Sequence, residues 1–151
     1  MVGRLAQARA VAAAVEDPEI PVLTIDDLGI LRDVRLDGDT VEVTITPTYS
    51  GCPAMDVIAW EIEAALARAG FSSVRVRSVL SPAWTTDWMS ADGHRKLREY
   101  GIAPPDPSAH PVCPQCGSRD TELLSAFGST SCKALHRCLA CREPFDAFKC
   151  H

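Results

Sequence analysis

Nowhere in the chain do eighteen apolar residues follow one another, so no helix of bilayer length can be drawn and the protein is expected to work in water. The first fifteen residues hold no acid, no serine and no apolar stretch of the length a signal core needs. They therefore lack the serine content of a transit peptide and the core of a secretion signal, and cytoplasmic residence is the expectation. Positive charge is scarce. Fifteen Lys and Arg face twenty Asp and Glu, for a net charge of −5. Residues 1–103 carry ten basic against fifteen acidic side chains, and residues 104–151 five against five. Neither part offers the basic footprint that nucleic-acid binding requires, so neither nucleic acid nor membrane is an expected partner.

Cysteine, by contrast, is plentiful. Seven among 151 residues, with no export signal, point to a reducing compartment in which clustered thiols bind metal more often than they form disulfides. The odd number leaves at least one thiol over. An apolar content of 46% suffices for a core, and the length fits one ordinary domain or a smaller domain with an appendage.

One cysteine stands apart, in Thr46-Pro47-Thr48-Tyr49-Ser50-Gly51-Cys52-Pro53-Ala54-Met55-Asp56. Pro53 suits the first position of a helix, because its ring presets φ and its missing N–H would have had no partner there. Cys52 is then the N-cap. Unpaired N–H groups and the positive end of the helix dipole favour a thiolate at that position. The alternative is an inert cysteine buried in a tight strand–helix turn.

The rest of the first region reads as a small two-layer α/β sandwich of the α+β class, in the order α-β-β-α-β-α with a three-stranded sheet. A first helix places Leu5, Ala8, Ala12 and Val15 on one face and stops at Asp17-Pro18. Asp17 to Gly29 is expected as an ordered loop in which Asp17, Glu19, Asp26 and Asp27 either form turns or gather as a carboxylate site. Ile30–Leu36 and Val41–Thr46 alternate as strands, with Asp37-Gly38 as the hairpin turn. A helix over Pro53–Ala69 covers them with Met55, Ile58, Ile62, Leu66 and Ala69, and Gly70 ends it. A third strand, Val74–Leu80, runs into Ser81-Pro82-Ala83-Trp84-Thr85. That end either lines the same edge of the sheet as Cys52, with Thr85 as a site residue, or serves a last helix over about 88–100 with Thr86 or Asp87 as its cap and Trp84 and Trp88 as core.

The domain boundary is expected after residue 103, with a stiff Pro-rich linker over 104–111 and a second domain over 112–151. That domain holds Cys113-Pro114-Gln115-Cys116 and Cys138-Leu139-Ala140-Cys141. Two such knuckles supply the tetrahedral four-thiolate shell that zinc favours, and a segment this short needs a metal to fold. The expectation is a structural zinc ribbon. Cys132, beside Lys133, is an additional thiol that serves either as a ligand or resolving thiol or as a small residue in a hairpin. Cys150 and His151 fall at the terminus and carry no assigned role.

The Asp17–Pro21 and Asp27-Leu28-Gly29 elements, the Thr46–Pro53 turn, the Ser81–Thr85 end and the Gly101-Ile102-Ala103-Pro104-Pro105 exit together resemble the metal–sulfur cluster biosynthesis, or iron–sulfur cluster assembly, domain family. With the ribbon and its Phe127–Leu135 segment, the whole chain is similar to the PaaD/PaaJ-type family of bacterial phenylacetic acid degradation. The resemblance implies an accessory or maturation factor, without catalysis of its own, for the multicomponent phenylacetyl-CoA monooxygenase (epoxidase). Its implied task is assembly or insertion of the iron–sulfur cluster of the reductase component, with Cys52 at the family's reactive or cluster-related position. A single cysteine cannot satisfy a cluster that takes four ligands, so a transient cluster or iron at Cys52 implies a homodimer or a shared ligand, Cys132 among the candidates. Other readings stay open: a small structural or docking subunit of the oxygenase without cluster transfer, a plain interaction module, or a thiol-dependent catalyst. A catalyst would want a base beside Cys52, and no histidine lies within forty residues of it in sequence.

Overall fold

The computed structural model describes residues 2–48, 54–130 and 132–150, which fall into two compact units, Met1–Ser90 and Ala91–His151. The first is the expected two-layer sandwich. Its sheet has the order β1 (Leu31–Asp37), β2 (Thr40–Ile45), β3 (Ser73–Ser78), with β1 antiparallel and β3 parallel to the central β2. Two helices, α1 (Val2–Ala13) and α3 (Ala54–Arg68), touch each other as well as the sheet, α1 against β1 and α3 against β3. Alternation on β2 turns Val41, Val43 and Ile45 into the core, where Ala8 and Ala12 of α1 and Ile58, Ile62 and Leu66 of α3 are also fully buried. These are the faces that the three-and-four and two-residue periods mark in the sequence.

The loop after α1 contributes as much core as the helices do. Ile20, Leu23, Ile25, Leu28 and Ile30 are all nearly inaccessible. Its base is closed by hydrogen bonds from Asp17 N to Leu23 O (2.9 Å) and Ile25 N to Val15 O (2.8 Å). It then forms one helical turn, α2 (Ile25–Leu28), with a reciprocal cap: Asp27 N donates to Thr24 Oγ1, and Thr24 N donates to the Asp27 carboxylate. Gly29 ends the turn in the left-handed region, φ +78°.

Several expected boundaries move. The hairpin loop is Gly38-Asp39, one residue later than Asp37-Gly38, because Asp37 still pairs with Thr40. Gly38, at φ +61°, takes the first central position that demands glycine. The last helix is shorter than 88–100. A single 3-10 turn over Thr86–Trp88 comes first, capped by Thr85 rather than Thr86 or Asp87, and α4 (Ala91–Glu99) comes after it. Trp84 is core, but Trp88 is only half-buried, beneath the Arg32 guanidinium at 3.7 Å. Arg32 is the extra residue of a bulge between Leu31 and Asp33, and the bulge turns it out of the ladder.

The second unit is a four-stranded sheet of order β4 (Ile102–Ala103), β7 (Pro144–Phe148), β6 (Lys133–Cys138), β5 (Thr121–Ser125). β4 runs parallel to β7, and the other pairs are antiparallel. The units therefore divide at Ser90/Ala91, not at 103/104, and the reason is that Ile102 and Ala103 bond to Asp146 and Ala147. Nor is 104–111 a free linker. Arg119 bonds to Asp106, Thr121 Oγ1 donates to Pro111 O at 2.9 Å, and His110 Nδ1 donates to Thr121 O at 2.9 Å.

Candidate functional site

Each knuckle of the ribbon is a tight turn built the same way. After the first pair, Gly117 (φ +78°) sends its N–H back to Cys113 O at 2.9 Å, and Cys113 N donates to Ser118 O. After the second pair, Arg142 (φ +70°) sends its N–H to Cys138 O at 3.0 Å, and Cys138 N donates to Glu143 O. Among the described residues Arg142 alone is a non-glycine with positive φ, so the second knuckle holds its shape against a backbone preference of about 1 kcal/mol. Leu139 N donates to Asp120 O at 2.8 Å and ties the second knuckle to the segment leading into β5.

The result brings Cys113, Cys116, Cys138 and Cys141 together with all four sulfurs within 4.8 Å of one another. Cys113 and Cys141 lie 3.7 Å apart, and Cys116 and Cys138 3.5 Å. A tetrahedral ion with metal–sulfur bonds of about 2.3 Å separates its ligand sulfurs by about 3.8 Å, so the cage fits one such ion. Backbone N–H groups already point at the sulfurs, Gln115 N at Cys113 and Cys141 N at Cys138, both 3.4 Å. The N–H of Cys141 is the main cause of the Cys138 thiol titrating low, at about 7. At Cys141 the N–H of Glu143 pulls downward, but burial and the three neighbouring thiols outweigh it and push the group up to about 12. Four sulfurs this close cannot all become thiolates unless a cation compensates them. The donor set is suited to hold a metal ion, and Cys113, Cys138, Ala103, Phe145 and Ala147 form the small core beneath it.

Cys132 is not part of that cluster. It is buried in the turn before β6, its sulfur 2.9 Å from Thr130 Oγ1. Cys52, with Tyr49, Ser50, Gly51 and Pro53, lies outside the described residues. The elements on either side of it are described. Thr46 ends the β2 side, with its N–H on Ile30 O and its buried hydroxyl facing no partner among the described residues, and α3 begins at Ala54.

Of the other site residues expected from sequence, Asp17 and Glu19 share one turn. Asp17 Oδ1 accepts from Glu19 N at 2.8 Å and from Ile20 N at 2.9 Å. Thr85 accepts from Asp87 N at 3.3 Å as the cap of the 3-10 turn.

Sequence reasoning missed how two of its own motifs meet. Trp84 Nε1 donates to Leu28 O at 2.8 Å, and Ser90 N donates to Asp27 O at 2.9 Å. Ser90 Oγ lies 3.3 Å from Asp27 Oδ1, and a Cβ on Gly29 would fall 2.6 Å from Trp88 Cβ. The Asp27-Leu28-Gly29 turn is thus the seat on which residues 84–90 rest. The signal open to sequence reasoning was an indole with a single donor to satisfy, in a chain that also holds a glycine-ended turn.

Comparison with known proteins agrees with both halves. Residues 5–78 match the iron–sulfur cluster assembly protein family, and residues 103–149 match the PaaD zinc beta ribbon domain. A protein of Escherichia coli (strain K12) assigned as a subunit of 1,2-phenylacetyl-CoA epoxidase is 52% identical over 148 residues, 93% of this chain and 90% of that one. An Fe-S protein maturation auxiliary factor of Porphyromonas gingivalis is 35% identical over 85 residues, 55% of this chain and 80% of its own length. Among solved structures, a DUF59 domain from Bacillus anthracis superposes with a TM-score of 0.59 at 27% identity, covering 64% of this chain and 92% of that domain. By sequence identity over nearly its whole length, and by the two domains it joins, this chain belongs to the PaaD family of phenylacetate catabolism, an iron–sulfur cluster assembly domain with a zinc ribbon after it.

Proposed function

We propose that this protein is a maturation factor for a phenylacetyl-CoA epoxidase, acting in the assembly or insertion of the iron–sulfur cluster of the reductase component. The observation that carries the reading is the union, in one chain, of an iron–sulfur assembly domain with the ribbon of a family whose Escherichia coli member is assigned to that epoxidase. The likeness of the first domain to maturation auxiliary factors supports the same reading.

In this mechanism Cys52 is the working thiol. It immediately precedes Pro53 and the start of α3 at Ala54, where the helix dipole favours a thiolate, and a thiolate is the form that takes iron or a bridging cluster as cargo. Cluster iron needs further ligands, which come from a second copy or from the client. The ribbon's four cysteines hold zinc as a structural ion, and the epoxidase components are the partners.

The test is a Cys52→Ser strain. Its reductase is expected to accumulate with the normal protein level but less than about a tenth of the normal cluster iron and sulfide, while the variant itself keeps its fold and its zinc. A fully loaded reductase in that strain would refute the mechanism. The assignment of the relative as an epoxidase subunit favours one other reading, a docking subunit that stays with the oxygenase without transferring a cluster. That reading predicts stoichiometric copurification with the oxygenase, unaffected by Cys52→Ser.

A further inference from the structure

The helix α3 carries more apolar surface than its own core uses. Ile58, Ile62 and Leu66 face the sheet, but Val57 and Trp60 lie on other sides of the helix and are exposed, Trp60 by 66%. Beside Val57 runs an open cleft of about 650 Å³ between α3 and the end of α1 with the loop after it. Its walls are Val11 and Ala14 at the end of α1, Pro18 and Pro21 from the loop, and Val57 and Ala65 from α3. Facing alanines leave room there, and the two prolines stiffen the outer wall.

The charges around the cleft are unequal. Glu16, Asp17 and Glu61 line it against a single Arg68. Asp17 spends its carboxylate on the turn at Glu19 and Ile20. Glu16 and Glu61 are solvent-facing and have no ion-pair partner among the described residues, whereas Asp33, Asp39 and Glu42 of the same unit each face an arginine. Over its whole length α3 has three acids, Asp56, Glu61 and Glu63, to that one arginine.

From this we infer that the α1–α3 cleft docks a partner protein through an amphipathic segment, whose apolar side chains enter between Val57 and Ala14 while its Lys or Arg residues meet Glu16 and Glu61. Trp60, one turn along the same helix from Val57, adds exposed aromatic surface of the kind that interfaces use, and acidic rims select basic partners. The inference is independent of the thiol at Cys52, so either stands if the other falls.

The test uses the full-length protein and two fluorescein-labelled peptides of about fourteen residues with identical leucines at helical spacing, one carrying Lys and the other Glu at the intervening positions. The Lys peptide is expected to bind, the Glu peptide at least about tenfold more weakly, and Trp60 emission to shift to the blue on binding. Val57→Asp and Glu61→Lys should each weaken the Lys peptide at least about tenfold with unchanged circular dichroism. Glu63→Lys makes the same change of net charge outside the cleft and should move affinity less than about threefold. Four results would overturn the inference: no binding of the Lys peptide, equal binding of both peptides, equal losses in the Glu61 and Glu63 variants, or a wild-type dimer that Val57→Asp converts to monomer.

Discussion

Replacing Gly29 by alanine tests the seat between the α2 turn and residues 84–90 directly. Two costs add at this position. The residue sits at φ +78°, where an L side chain costs about 1–2 kcal/mol. The new Cβ would also stand 2.6 Å from both Trp88 Cβ and Trp88 O, closer than real contacts allow, and the nearest atoms are backbone and Cβ rather than a mobile side-chain end. Trp88 must move, and overpacking of that kind costs about 1–3 kcal/mol. The expected loss is therefore about 3 kcal/mol. Gly70→Ala is the control, with a larger positive φ of +99° but open space around the Cβ, and should lose the backbone cost alone, about 1–2 kcal/mol. All three tryptophans, Trp60, Trp84 and Trp88, lie in the first unit, so urea unfolding monitored by tryptophan fluorescence reads this unit without the ribbon. Equal losses for the two substitutions, or a loss below about 1 kcal/mol for Gly29→Ala, would refute the steric argument.

The metal cage makes a signed prediction about pH. Protons compete with the ion for thiolates, and Cys138 titrates at about 7. At Cys116, however, the downward pull of the Ser118 backbone is outweighed by Cys138 and burial, which hold the thiol above its ordinary value, and Cys141 is held up to about 12, so binding must displace more than one proton near neutrality. Apparent zinc affinity, measured by competition with a chromophoric chelator, is expected to fall at least about tenfold per unit as pH drops from about 8 to about 6, and a flat profile would contradict the four-thiolate site. Trp84→Phe removes the buried donor to Leu28 O and should destabilise the first unit by about 2 kcal/mol in urea unfolding read by circular dichroism. A change under about 0.5 kcal/mol would mean that this bond is dispensable.

Legibility in the sequence depends on which features are periodic. β2 and α3 emerge with nearly the expected residues because burial on one face forces alternation at Val41, Val43 and Ile45 and three-and-four spacing at Ile58, Ile62 and Leu66. The four ribbon cysteines were equally plain, since a tetrahedral shell dictates paired knuckles. Elements fixed by single long-range contacts were not legible. The two residues of β4 are too few to show a period, and only their pairing with β7 makes them a strand. The proline-rich stretch 104–111 has a linker's composition, yet Asp106, His110 and Pro111 are held by Arg119 and Thr121. The cap role of Thr85 is not legible because the 3-10 turn it caps is shorter than any pattern a sequence can display. The left-handed position after the second cysteine of each knuckle is legible where Gly117 fills it and hidden where Arg142 does, since an arginine rarely adopts that backbone.

The two residues of β4 have a bearing on how this protein can be cut. A fragment begun at 104 or 112, where composition invites the cut, would keep every metal ligand and still lose the strand that covers β7. The unpaired N–H and C=O groups of a strand that contributes Phe145, Ala147 and Phe148 to the interior would then face solvent as a bare sheet edge. Such an edge recruits strands from other molecules. The isolated ribbon would thus be metal-loaded and sticky at once, and a well-behaved fragment has to begin upstream of Ile102, at the start of α4.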